Sequence, residues 1–165
     1  MFRRRHLLSL GLLAATLAAC SGTTAPAEPR ANVAVQAPSV VATTVTVAGV
    51  TWLEFTVPVL IANTGSVALT YSSCASWVEA RAGDAWKAAY TPLCMLSADG
   101  DVVIPPGESL AFNVSVQASL SGPGGPPWLA DPSATDFRFS AGLTAPGTSG
   151  RIPIVRSNVF TLVGR

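Results

Sequence analysis

Thr51-Trp52-Leu53-Glu54-Phe55-Thr56-Val57-Pro58-Val59-Leu60-Ile61-Ala62 is the stretch that decides the fold. Leu53, Phe55, Val57, Val59 and Ile61 fall on one face, and Trp52, Glu54, Thr56 and Pro58 fall on the other. A period of two with β-branched and aromatic residues is the pattern of a half-buried strand. Pro58 has no N–H to give to a ladder, so the strand is expected to lie at a sheet edge or to carry a bulge there. Asn63-Thr64-Gly65-Ser66 follows as a turn.

Working outward, the same reading gives a first strand at Val40 to Val47 and further short strands at Val67 to Tyr71 and Ser76 to Arg81. Ala85 to Tyr90 closes a hairpin around Ala82-Gly83-Asp84. Val102-Val103-Ile104 precedes the turn Pro105-Pro106-Gly107-Glu108. Leu110 to Gln117, Thr135 to Leu143 and Ile154 to Val163 complete the set. No stretch in this body keeps apolar residues at i, i+3, i+4 and i+7 over three turns. The expected fold class is all-β: a single antiparallel β-sandwich of seven or eight strands, with a closed barrel as the alternative.

The chain opens with Arg3-Arg4-Arg5, an apolar run from Leu7 to Ala19, and Leu17-Ala18-Ala19-Cys20. Basic, apolar and small residues in that order form an export signal. The apolar run has 13 residues, short of the ~20 that a membrane-spanning helix needs. Leu17-Ala18-Ala19-Cys20 resembles the lipobox of bacterial lipoproteins. That resemblance implies cleavage before Cys20, lipid on its thiol, and membrane lipid as a partner in the bacterial cell envelope. Ser21 in the next position implies the outer membrane where a cell has two. The expected organisation is a signal peptide at 1–19, a lipidated cysteine and flexible tether at 20–31, and a β-sandwich domain at 32–165. Residues 21–31 carry no large apolar side chain and suit a tether.

Removing residues 1–19 leaves 146 residues, enough for one domain with a sizeable core. Seven Lys and Arg then stand against nine Asp and Glu, a net charge of −2. No basic patch survives, which argues against a nucleic-acid partner. The only histidine, His6, leaves with the signal. Its loss excludes Ser-His-Asp and Cys-His catalysis and histidine-ligated zinc or copper. With one lysine and no paired carboxylates either, no catalytic residue, metal ligand or cofactor is assigned. With Cys20 lipidated, Cys74 and Cys94 remain as a pair in an oxidising compartment, so a disulfide is expected. It would close a 21-residue loop around the hairpin, a stabilisation of ~3 kcal/mol in the chain-entropy model.

Candidate binding residues are aromatic. Trp128 ends the glycine- and proline-rich loop Ser121 to Pro127, which lacks the Gly-Lys-Ser/Thr ending of a phosphate loop. Trp77 and Trp86 sit on the two hairpin strands, where cross-strand packing is the plainer role and an aromatic strip for glycans the other. Asp99-Gly100-Asp101 reads as a turn rather than a calcium loop. Nothing marks Asp131 and Asp136 as an acid/base pair.

Three stretches carry a further resemblance. They are Val57-Pro58-Val59-Leu60-Ile61-Ala62-Asn63-Thr64-Gly65-Ser66, Ile104-Pro105-Pro106-Gly107-Glu108-Ser109 and Ser157-Asn158-Val159-Phe160. Together they resemble immunoglobulin-like or fibronectin-III-like modules of bacterial envelope lipoproteins. Residues 53 to 117 also resemble the bacterial intracellular proteinase inhibitor family. The first likeness implies a non-enzymatic module that presents loops or an edge strand to an envelope protein partner. The second implies inhibition of a protease by an exposed loop.

Overall fold

The computed structural model describes residues 28–90, 100–121, 133–146 and 153–164. The signal region, Cys20, Cys94, Asp99, Trp128 and Asp131 lie outside the described residues. Within them the chain is all-β, with nine strands and no helix.

The deciding stretch forms β3 (Val50–Asn63), and its alternation holds: Leu53, Phe55, Val57, Val59 and Ile61 are all buried. β3 is a central strand, not an edge. β7 (Ser109–Ser121) pairs along one side of it. Two shorter strands, β1 (Ala31–Val35) and β2 (Ser39–Val47), lie end to end along the other. β1 precedes the first strand expected from the sequence. Pro58 sits opposite the break between β1 and β2, and its carbonyl accepts from Gln36 N at 2.9 Å. In a strand the N–H and C=O of one residue face the same side. The missing N–H of Pro58 therefore points at the gap where the neighbouring chain departs, and costs no ladder bond. Neither an edge nor a bulge is needed at Pro58; the register shift in β3 falls instead between Thr51 and Trp52.

The other strands are β4 (Leu69–Ala82), β5 (Ala85–Tyr90), β6 (Val102–Ile104), β8 (Asp136–Thr144) and β9 (Val155–Val163). β4 merges the two strands expected at 67–71 and 76–81, with a register break between Tyr71 and Ser76. β8 pairs β4 and β9, while β5 and β6 share the far side of β4. β2 belongs to both halves. Ala42 to Val47 pair with β3, whereas Ser39 to Val41 pair with β9 in parallel. The expectation of a purely antiparallel sandwich is thus corrected: the nine strands form one mixed sheet. After β1 the chain bends at Gln36 and Pro38, and Ser39 to Val41 run beside β9 before Ala42 to Val47 return to β3.

The two halves close on each other in a sandwich-like arrangement. Phe55 of β3 meets Phe137 of β8 at 6.3 Å between ring centroids, and Phe112 of β7 meets Tyr71 of β4 at 4.8 Å. Phe137, Phe139 and Phe160 are fully buried, each contributing about 2–3 kcal/mol relative to exposure.

Turns follow their residues. Ala48-Gly49 joins β2 to β3 with φ of 51° and 79°, the double positive φ of a type I′ hairpin. Pro106 and Gly107 occupy the centre of a turn closed by Glu108 N donating to Pro105 O at 3.1 Å. Gly107 has φ 79° there, as a type II turn requires.

The loop after β3 binds the start of the described chain. Thr64 N and Gly65 N donate to Arg30 O, and Ser66 N donates to Glu28 O. A Cβ on Gly65 would sit 2.5 Å from Arg30 N, so only glycine admits this segment. Residues 28–31, assigned to the tether from sequence, are therefore held against the body.

Candidate functional site: the outer face of β5, β4, β8 and β9

Along β4, Val78 and Ala80 turn into the core. Trp77, Glu79 and Arg81 must then face outward, because side chains alternate. Register supplies the neighbours, since directly paired residues share a face. Ala88 of β5 and Arg138 of β8 flank Glu79; Trp86 lies opposite Arg81; Ser140 lies opposite both Trp77 and Arg156. The result is a grid of two tryptophans and three arginines around one carboxylate.

Glu79 is the centre. Its side chain is 8% exposed. Arg138 Nε donates to Glu79 Oε2 and forms an ion pair with it. Trp77 Nε1 donates to Glu79 Oε1 at 3.3 Å, and Arg156 Nε lies 3.5 Å from Oε2. Burial by itself pushes the Glu79 carboxyl up. The hydrogen bonds from Arg138 and Trp77, with the charges of Arg138 and Arg156, outweigh it and hold the carboxyl below its ordinary value. Arg138 also stacks over Trp86, 4.3 Å from the ring centroid. At the rim Arg81 and Asp136 approach to 3.5 Å, an exposed pair of little energetic weight. Beneath Trp77 and Arg156 the Ser140 hydroxyl is buried with no hydrogen-bond partner among the described residues.

Trp77 and Trp86 both lie on this face, but they are not the cross-strand partners expected from sequence: Trp86 pairs with Arg81. Each tryptophan is only half-buried, and each is fixed by a charged neighbour. Cys74 is exposed near the register break of β4; its expected partner Cys94 lies outside the described residues, as do Cys20 and Trp128. Sequence reasoning missed Glu79, Arg138 and Arg156. The signal was present: on β4 and β8 the charges occupy the parity opposite the buried residues, marking a polar outer face.

The turns behind the inhibitor likeness have a structural task. Asn63 is 1% exposed. Its Nδ2 donates to Val67 O at 2.8 Å and Ile104 O at 2.9 Å, and its Oδ1 accepts from Gly65 N at 3.0 Å. It thereby joins the Asn63–Ser66 turn to the Pro105–Glu108 turn. Asn158 acts similarly, accepting from Val35 N at 2.8 Å and donating to Val35 O at 3.2 Å. No protein-family model matches this chain, and no curated protein matches it in sequence.

Proposed function

We propose that the chain is a lipid-anchored envelope protein, held in the membrane through Cys20, that works without catalysis by binding a protein partner. The observation that carries this reading is the outer-face grid: two half-buried tryptophans held rigid around the Glu79–Arg138 pair. Tryptophan and arginine supply most hot-spot energy at protein interfaces. Side chains already fixed lose little entropy on binding. The charge content of the grid also suits a partner with acidic groups, which Arg81 and Arg156 at the rim can meet.

The immunoglobulin-like assignment belongs to the same proposal. Its support is the strand order: β3 and β7 in one half, β4, β8 and β9 in the other, and a first strand divided between them. A Cys74–Cys94 bridge is proposed with it, on the strength of the export signal. The glycan reading draws less support, because Arg138 already occupies one ring face of Trp86. The inhibitor reading draws none from its turns, whose polar groups are engaged within the fold.

A photoreactive residue at Ala88, exposed beside Glu79, tests the reading in intact membranes. A discrete protein adduct is expected from Ala88 and not from Thr43 on the opposite half. Arg156→Glu should abolish it. Absence of an adduct at Ala88, or equal adducts from both positions, would remove this face as the binding surface.

A further inference from the structure

Among the described residues β7 pairs only with β3. An unpaired strand edge is a template for another strand, and folds blunt such edges with charge, proline, bulges or short length. β7 is irregular only near its end, where Leu120 is an extra residue against β3. Its 13 residues, Ser109–Ser121, contain no charge and no proline, and its pairing is regular from Ser109 to Ser119. The other edges are blunted. β5 has six residues and carries Lys87; β6 has three and follows Asp101; the β1–β2 edge is interrupted at Pro38.

A cleft of about 400 Å³ opens between β7 and the half built on β4 and β8. Leu110, Phe112 and Val114 form one wall, and Tyr71, Tyr90 and Phe139 the other. Among the described residues no charged side chain lines it.

We propose that β7 accepts an extended, uncharged segment of a partner protein as an added strand, with apolar side chains at alternate positions seated in this cleft. Main-chain bonds to the β7 edge supply affinity and the cleft supplies selectivity, the division of labour in strand addition. The occupant is a free segment rather than β7 of a second copy. Val116 and Ala118 of β7 are buried in its own core, and Leu110, Phe112 and Val114 pack against it. A second β7 could pair main chain but could not fill the cleft. The proposal shares the view of the chain as an interaction module, but centres on the β7 edge, and of the outer-face grid only Trp77 also lines the cleft.

Selection of random twelve-residue peptides on phage against the full chain in detergent micelles tests it. Enriched sequences should place apolar residues at every second position, with no proline and no charge among them. A synthetic copy of the best sequence should slow amide exchange across residues 109–121. Asn113→Lys with Ser115→Lys, both at exposed positions, should weaken its binding at least tenfold with an unchanged melting temperature. Should that variant melt early, the same peptide N-methylated at alternate residues replaces it, and should bind at least tenfold more weakly. No enrichment, enrichment without alternation, or binding that survives the lysines or the methylation overturns strand addition. Each of those failures leaves the Ala88 crosslinking result standing, so the two surfaces are judged separately.

Discussion

Asn63 shows how one side chain can fix two loops. It is buried, yet both ends of its amide are satisfied by main chain. A net hydrogen bond is worth about 1 kcal/mol, and an orphaned buried carbonyl costs more. Asn63→Ala removes three such bonds, two of them to the turns on either side. It should destabilise the fold by about 3 kcal/mol, seen as a fall of roughly 10 °C in melting temperature. A shift below about 2 °C would mean that solvent or a neighbour replaces the amide at little cost, and that the two turns are not coupled through it. Asn63 read as an ordinary turn residue in the sequence. Its second role was hidden, because Ile104 lies 41 positions away and no local pattern announces so distant a partner.

At the scale of elements, the alternation in β3 was fully legible, because burial of one face imposes it directly. So were the Ala82-Gly83-Asp84 and Pro105-Pro106-Gly107-Glu108 turns. What could not be read was which strands lie side by side. Pro58 looked like an edge residue; its tolerance depends on the break between β1 and β2, a property of another element. The outer-face grid has the same character, since Trp77, Arg138 and Arg156 come from three strands. Its electrostatics give a prediction of definite sign. The Glu79 carboxyl is held below its ordinary value in the folded chain. Its contribution is therefore present above the unfolded value of about 4.3 and is lost as pH falls through the lower folded value. Glu79→Gln should cost about 1–2 kcal/mol at pH 7, where Arg138 and Arg156 lose their counter-charge. The gap between variant and wild type should narrow as pH falls from 6 to 3 in denaturant melts. Parallel stability curves over that range would show that the carboxylate contributes nothing as a charge.

For the molecule as a whole, the decisive geometry is where the packed body begins. Glu28 and Arg30 are bonded through their main chain to the Thr64–Ser66 loop, so a tether from Ser21 ends by Ala27. Seven residues at ~3 Å each reach about 20 Å when extended, which keeps the domain close to any surface that holds Cys20. Such a short leash favours partners in the same membrane layer, since a tethered module meets them at high effective concentration. The leash matters only if the sulfur at its start carries lipid. A single acyl chain gives marginal, reversible binding, while two or more give stable attachment. Cys20→Ser removes the acceptor thiol and changes nothing in the packed body. It should move the chain from the pelleted membranes to the soluble fraction and abolish an acylated mass in the wild-type protein. A variant that still pellets, or a wild-type chain whose measured mass carries no acyl group, would detach this fold from the membrane and remove the basis for a short-range partner.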